Sequence, residues 1–311
     1  MPGWTTLRDQ LLWILPRTVQ IRLACGVSLL GDLRDNRFGW RQLANVGFLE
    51  PEVERFLAEF LRPGDVFLDV GGNTGTMTTI GAHCVGPTGK VLSFEPDADL
   101  AACILDATRL NGLTNVSIHC RAVSAQPGPI EMVRQIGVGG TEYSRMIAIA
   151  DPADRPAQES RALVECVAID EVTRQLQRCD LITIDVDGNE RDVLASARKT
   201  IDRWRPALIV EVGPLSGRHG YRGADLVREL REAGYTTAVV VRETSGSLEG
   251  MHLVESPAPD VEGNVLAWIP GAHEARVPGL TNPEWWLRRL MEECRRQQAS
   301  DRIQTIARAR S

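Results

Sequence analysis

Apolar positions in this chain fall into short, nearly unbroken runs separated by stretches of helical period. Val66–Val70, Val91–Glu95, Leu181–Asp185 and Ala207–Val212 are such runs, each bounded by turn or charged residues. That pattern reads as strands buried on both faces. Thr76–Val85, Ala98–Asn111, Glu190–Ile201 and Asp225–Ala233 read as the helices between them. Further strands are expected at Val116–Cys120, Leu163–Ile169, Thr236–Val241 and Val265–Ile269, with a helix from Asp170. Ahead of these, Val53, Phe56, Leu57 and Phe60 share one face of a helix over Glu50–Phe60, which stops before Pro63-Gly64. Residues 4–24 read as one or two short amphipathic helices broken near Pro16. Strand and helix in alternation predict an α/β fold with a doubly wound, mostly parallel sheet of seven strands, flanked by N- and C-terminal helical extensions. A ligand of such a sheet lies at the carboxyl ends of the strands, at the switch point.

Three regions follow: an N-terminal helical extension (1–50), the α/β domain (51–270) and a C-terminal helical tail (271–311). Ile130–Arg134 reads as a strand that pairs away from the main sheet. Residues 135–162, rich in Gly, Pro, Ala and charge, read as a long loop or flap, a segment type that is often functional. In the tail, Trp285, Trp286, Leu290, Met291 and Cys294 fall on or near one helical face, with Arg288, Arg289, Arg295 and Arg296 around it. A docked helix is the expectation, with a homo-oligomer contact through the terminal helices as the alternative.

Composition narrows the function. A net charge of −6 over 311 residues argues against a nucleic-acid partner, which calls for a basic patch. Lys90 and Lys199 are the only lysines among 35 basic residues, a bias that reads as the codon composition of a GC-rich bacterium. The seven cysteines are odd in number and contain no C-x-x-C, so they read as small buried hydrophobes in a reducing compartment. No apolar run approaches the ~20 residues of a membrane span, and Leu11–Leu15 is too short for a signal sequence. A cytoplasmic protein is expected.

The chemistry begins at Asp69-Val-Gly-Gly-Asn-Thr-Gly75, where a strand ends in an acid and enters a glycine turn. About 20 residues later Phe94-Glu95-Pro96 ends a second strand in a carboxylate, placed to accept both hydroxyls of a ribose. A dinucleotide fingerprint has Gly where this turn has Asn73, and its last Gly is replaced by Thr76. Asp69 would repel a diphosphate and attract an ammonium group. A ribose, an adenine and a cationic amino-acid tail fit better, and S-adenosylmethionine (SAM) has those parts. NAD or FAD, and a tight turn with no ligand, are the competing readings.

A second acidic cluster closes Leu181-Ile-Thr-Ile-Asp185-Val-Asp187-Gly188-Asn-Glu190. In an extended strand Asp185 and Asp187 share one side. Paired carboxylates serve as a general base or hold a hard cation such as Mg²⁺, and Glu211, ending the next strand, is expected to reach the same place. The plainer reading makes these residues caps for the helix that follows, and Glu190 is assigned only that role. His219, in the loop Gly217-Arg-His-Gly220, is the competing base; His83, His119 and His252 read as structural.

In order along the chain stand Gly47-Phe-Leu-Glu-Pro-Glu52, Asp69-Val-Gly-Gly-Asn-Thr-Gly75, Phe94-Glu95-Pro96, Leu110-Asn111-Gly112, Arg121-Ala122-Val123 with Gly128, and Ala168-Ile-Asp170-Glu171-Val172. After them come Ile184-Asp185-Val186-Asp187-Gly188-Asn189-Glu190, Arg205-Pro206 with Glu211, and Asn264-Val265-Leu266. This ordered series, over roughly residues 46–270, resembles the FkbM-type SAM-dependent methyltransferases. The family usually has Ala and Ile in place of Gly72 and Thr74, and E-G-A-E in place of Asp187-Gly188-Asn189-Glu190. The resemblance implies a Rossmann-like class I methyltransferase fold, with the α/β domain as its SAM-binding part. It also implies methyl transfer to oxygen on a small-molecule hydroxyl acceptor such as a sugar, glycoside or polyketide-type secondary metabolite. The cofactor-binding set is then Asp69 under the methionine ammonium, Gly71, Asn73 and Gly75 as the cradle, Glu95 and Pro96 at the ribose, Arg121, Ala122 and Val123 at the adenine, and Asp185 near the sulfonium. Asp185, Asp187 and His219 are the catalytic candidates, and Asp185, Asp187 and Glu211 the candidate Mg²⁺ ligands. An NAD-dependent oxidoreductase and a non-catalytic SAM-binding interaction protein are the alternatives.

Overall fold

Two apolar clusters, one on each face of a central sheet, organise the protein. Strand residues alternate between them: Phe67, Leu181, Ile209 and Leu266 face one side, and Leu68, Ile182, Leu208, Val210 and Val265 the other. The computed structural model describes residues 18–23, 25–32, 40, 43, 47–136, 142–147, 160–241, 251–255, 257 and 263–308.

The described chain opens with a hairpin of β1 (Val19–Arg22) and β2 (Ser28–Gly31), paired antiparallel. This corrects the end of the helix expected over 4–24; the rest of that segment lies outside the described residues. Four-residue strands such as Val-Gln-Ile-Arg carry too little period to separate strand from helix. Next come α1 (Pro51–Phe60), β3 (Val66–Val70), α2 (Thr76–Val85), β4 (Lys90–Phe94), α3 (Ala98–Leu110) and β5 (Val116–His119). A small second sheet follows, made of β6 (Ala122–Val123), β7 (Gly128–Ile136), β8 (Glu142–Ile147) and β9 (Ser160–Val167), in the order β6-β9-β7-β8. So part of the segment expected as a loop pairs into sheet, and Ile130–Arg134 does pair away from the main sheet; 137–141 and 148–159 are outside the described residues.

The chain returns through α4 (Ile169–Val172), β10 (Leu181–Ile184), α5 (Glu190–Ser196), α6 (Arg198–Trp204), β11 (Ala207–Val212), α7 (Gly223–Glu232), β12 (Thr236–Val241), β13 (His252–Val254), β14 (Gly263–Trp268) and α8 (Pro283–Arg308). The single helix expected over Glu190–Ile201 is thus two, joined at Ala197. The main sheet runs β13-β12-β14-β11-β10-β3-β4-β5. Neighbours from β5 to β11 pair parallel, and β14 runs antiparallel between β11 and β12. Seven of these match expected strands, and three-residue β13 pairs on the outer edge of β12; Leu163–Ile169, also expected as a strand, is β9 of the second sheet. From β3 the chain winds outward through β4 and β5, then returns to β10 on the other side. The switch point therefore lies between β3 and β10, where ligands of open α/β sheets bind.

Helix α8 docks as expected. Trp286, Leu287, Leu290 and Cys294 are buried in the same cluster as Phe56 and Phe60 of α1, and Trp286 Nε1 donates to Glu59 Oε2 at 2.8 Å. Trp285 stays exposed. Cys25 and Cys120 are also exposed, unlike the buried thiols expected of all seven; Cys166, Cys179 and Cys294 are buried.

Candidate functional site

Each acid singled out in the sequence sits where a strand of the main sheet ends, and local chemistry decides which way it turns. Asp69, on β3, turns inward. Thr183 Oγ1 donates to its Oδ1 at 2.7 Å, and Thr78 Oγ1 donates to Oδ2. The carboxyl is 2% exposed, and burial raises its pKa against the pull of those hydroxyls. Asp69, expected under a ligand ammonium, lies beneath the turn and braces it against β10 and α2.

The turn itself is held by backbone. Gly71 and Gly72 N–H both donate to Phe94 O, at 2.9 and 3.0 Å. Gly71 has φ +92°, and a Cβ there would stand 1.8 Å from the Asp185 carbonyl oxygen. Glycine at this place lets the tips of β3 and β10 meet, a packing requirement as much as room for a ligand. Asn73 adopts φ 47° and is exposed at the turn's outer edge, an αL position that Asn tolerates. Its N–H donates to Glu95 Oε2 at 2.8 Å, while Asp97 N–H donates to Oε1 at 2.9 Å. The Glu95 carboxylate, at the end of β4, is thereby fixed in orientation against the glycine turn. Gly75, left-handed at φ +88°, starts α2 and packs on Ile104. Pro96 follows Glu95, and its carbonyl accepts a weak bond from Cys120 Sγ at 3.8 Å. Beyond β5, Arg121 is exposed while Ala122 and Val123 are buried as β6, paired to Cys166 and Val167.

Across the switch point, Asp185 N–H donates to Val70 O at 2.9 Å. Asp185 is exposed just beyond the end of β10. Its pKa is raised well above the usual carboxylate range, first by removal from bulk water and then by the charge of Glu50, with smaller contributions from Asp187 and Glu190. A hydrogen bond shared with Glu211 opposes the rise. Asp185 and Glu211 therefore come together as predicted.

Asp187 does not continue the strand. The extended conformation ends at Ile184, and Asp187 takes φ 53° in a turn, so the alternation that would align it with Asp185 is lost. Among the described residues no group of three His, Cys, Asp or Glu is arranged to hold a metal ion. The Mg²⁺ site expected on Asp185, Asp187 and Glu211 is not formed by this geometry, and no step is assigned to a metal. Glu190 does hold the turn: its Oε1 accepts from Gly188 N–H at 2.8 Å, and Tyr221 O–H reaches its Oε2 at 2.6 Å. His219 is exposed, at the end of the 3₁₀ turn Pro214–His219. Leu215 of that turn packs on Gly188, where a Cβ would stand 2.8 Å from the Leu215 carbonyl oxygen. His219 and Asp187 thus belong to two loops that touch beside the crevice.

Sequence reasoning assigned no site role to Glu50, Glu52 or Asn264. Asn264 is the register partner of Glu211, and its Nδ2 donates to Glu52 Oε1 at 2.9 Å and to Glu50 Oε1 at 3.1 Å. One amide so anchors the start of α1 and the residue before it to β14. The signal for it was the presence of Glu50-Pro-Glu52 and Asn264 in the same ordered series of motifs.

Strand order, glycine turn and acidic strand ends define a Rossmann-like class I methyltransferase. Residues 69–237, more than half of the chain, match the methyltransferase FkbM domain. The chain belongs to that family and is a SAM-dependent methyltransferase. Similar solved structures include precorrin-6y C5,15-methyltransferase from Geobacter metallireducens GS-15 (13% identity, 70% of this chain and 87% of that one, TM-score 0.39). A putative O-methyltransferase from Klebsiella pneumoniae is 17% identical over 74% of this chain and 88% of its own, with TM-score 0.40. The O-methyltransferase TomG from Streptomyces achromogenes is 13% identical over 71% and 79%, with TM-score 0.41. No curated protein matches the sequence. Among the described residues no helix is long and apolar enough to cross a membrane.

Proposed function

We propose that this chain transfers a methyl group from SAM to a hydroxyl of a small molecule of the sugar, glycoside or polyketide class. The observation that carries this reading is the pairing across the switch point. On one side a glycine turn is tied by the Asn73 N–H to Glu95, and on the other stands the hydrogen-bonded acid pair Asp185–Glu211.

When bound, SAM supplies an electrophilic methyl group. In this reading Glu95 receives the ribose hydroxyls, with Pro96 beside them. Gly71, Asn73 and Gly75 line the methionine portion with backbone. Arg121, Ala122 and Val123 pass the adenine. Asp69 lies under the methionine ammonium group and holds the turn rigid from below. Asp185, with Glu211, accepts the proton of the acceptor hydroxyl, while Asp187 and His219 contact the acceptor from the two loops beside the crevice. General-base help of this kind is worth ~10²–10⁴-fold, and alignment of the acceptor supplies more.

The test is methyl transfer from isotopically labelled SAM to a panel of sugars, glycosides and hydroxylated polyketides. Label appearing as an alkali-stable methyl ether supports the reading. Label found only on nitrogen or carboxylate groups would overturn the oxygen assignment.

A further inference from the structure

We infer that Tyr221 is a positioning residue of the cofactor site: through Gly188 and Glu190, its hydroxyl holds the turn 185–190 against the glycine turn that receives the methionine portion of SAM. This rests on the reading of the crevice as a SAM site. It goes further by giving a role in ligand binding to a buried side chain that touches no ligand.

The turn after β10 places two successive residues in the left-handed region, Asp187 at φ 53° and Gly188 at φ 107°. A residue with a side chain is unfavourable there and persists where its surroundings fix it, a situation that recurs at ligand sites. The fixing bonds lie on both sides of Gly188. Its N–H donates to Glu190 Oε1 at 2.8 Å. The Tyr221 hydroxyl stands 2.9 Å from the Gly188 carbonyl oxygen and 2.6 Å from Glu190 Oε2, and shares its one proton between these two acceptors. The same hydroxyl oxygen accepts from the Arg191 N–H at 3.4 Å. Tyr221 is 4% exposed and Glu190 1%, so water is not at hand to replace a bond that is lost.

The turn bears directly on the cofactor side of the crevice. A Cβ at Gly71 would stand 1.8 Å from the Asp185 carbonyl oxygen and 3.5 Å from Val186 Cγ1, so a shift of the turn moves the wall beside Gly71 and the seat of Asp185 with it. On its other side the turn meets the loop that ends in Tyr221, through the Leu215 carbonyl against Gly188. The tyrosine ring has its own support. The Arg191 guanidinium lies 5.8 Å from the ring centroid and pairs with Glu229 of α7 at 2.6 Å. Removing the hydroxyl alone therefore keeps the ring in place and releases the turn.

Tyr221→Phe tests this without knowledge of the acceptor, and Tyr235→Phe is its control. Tyr235 is equally buried at 4%, and its hydroxyl donates at 2.8 Å to the carbonyl of Pro206, just ahead of β11 and at the end of the strand away from the crevice. Urea midpoints should fall in both variants. In titration calorimetry Tyr221→Phe alone should weaken S-adenosylhomocysteine binding, by about tenfold. 5′-Methylthioadenosine has the same nucleoside and sulfur without the amino-acid chain, and it should bind Tyr221→Phe as it binds the wild type. Glu190→Gln removes one of the two acceptor oxygens and should show the same ligand-selective loss, which keeps the test open if Tyr221→Phe does not fold. S-adenosylhomocysteine affinity unchanged in Tyr221→Phe, with only a lower urea midpoint, would reduce Tyr221 to a structural residue and overturn the inference. Equal losses for the two ligands, or equal losses in the two tyrosine variants, would also overturn it, with the SAM site left standing. Failure of S-adenosylhomocysteine to bind the wild type would remove the SAM reading itself, and the inference with it.

Discussion

Gly71→Ala tests the seam between β3 and β10 directly. Two costs follow from the structure. The residue sits at φ +92°, where a Cβ adds about 1–2 kcal/mol. That Cβ would also stand 1.8 Å from the Asp185 carbonyl oxygen and 2.8 Å from its carbon. Both atoms are backbone, so no rotamer change relieves the overlap, and the strand ends must part. Overpacking of this kind costs about 1–3 kcal/mol. The sum is about 2–5 kcal/mol, a large share of the ~5–15 kcal/mol of a typical domain. Gly112→Ala is the internal control. It too is left-handed, at φ +64°, but a Cβ there meets nothing within 4 Å, so only the first cost, about 1–2 kcal/mol, applies. Urea unfolding of the two variants, with slopes compared to the wild type, separates the terms. Gly71→Ala should lose about 1–3 kcal/mol more than Gly112→Ala and should also lose affinity for S-adenosylhomocysteine, which Gly112→Ala should keep. Equal destabilisation of the two, with nucleoside affinity intact in both, would refute the close approach of turn and strand.

Glu95→Ala should weaken S-adenosylhomocysteine binding by about 1–3 kcal/mol, the loss of charge-assisted bonds to the ribose; calorimetry with unchanged affinity would show the ribose to lie elsewhere. Glu54, half-buried and accepting from Leu49 and Glu50 N–H, has its pKa raised from 4.5 to about 7, chiefly by desolvation. The folded state holds that proton more tightly than the unfolded one, so its contribution is fully present below about pH 4.5 and is lost as pH rises through about 7. Denaturation midpoints should therefore fall less over that window in Glu54→Gln than in the wild type; parallel curves would contradict this. Tyr221→Phe should cost about 1–3 kcal/mol, because it strips a hydroxyl from Glu190, which is 1% exposed; an unchanged midpoint would show that the bond contributes nothing. Trp286→Ala should cost about 3–5 kcal/mol if α8 is part of the fold, and a midpoint equal to the wild type would mean that the helix does not support the core.

The main sheet was legible because strands covered on both faces write themselves as solid apolar runs. Val66–Val70 and Ala207–Val212 begin and end in the structure where the sequence puts them. The acids that close β3, β4, β10 and β11 were legible for the same reason: a charge at the end of such a run has few places to go but a crevice or a partner. Their orientations were not legible. Asp69 turns inward because Thr78 and Thr183 lie nine and 114 residues away with hydroxyls in reach, and nothing local to Asp69 announces that. Asp187 leaves the expected alternation because the extended backbone ends at Ile184 and the chain turns before it. In the second sheet β7 and β9 were legible in part, but β8 escaped, because among the described residues it pairs with β7 alone, across a stretch without helical or strand period. The Asn264 clamp joins residues 212 and 214 positions apart, a distance at which a single sequence carries no pairing signal beyond the shared motif order.

The most direct measurement of the central claim is a crystal structure of the protein soaked with S-adenosylhomocysteine. The nucleoside should lie across the switch point of the sheet, its ribose hydroxyls on the Glu95 carboxylate and its sulfur facing Asp185 and Glu211. A nucleoside lodged away from β3 and β10, or a site that stays empty at saturating ligand, would contradict it.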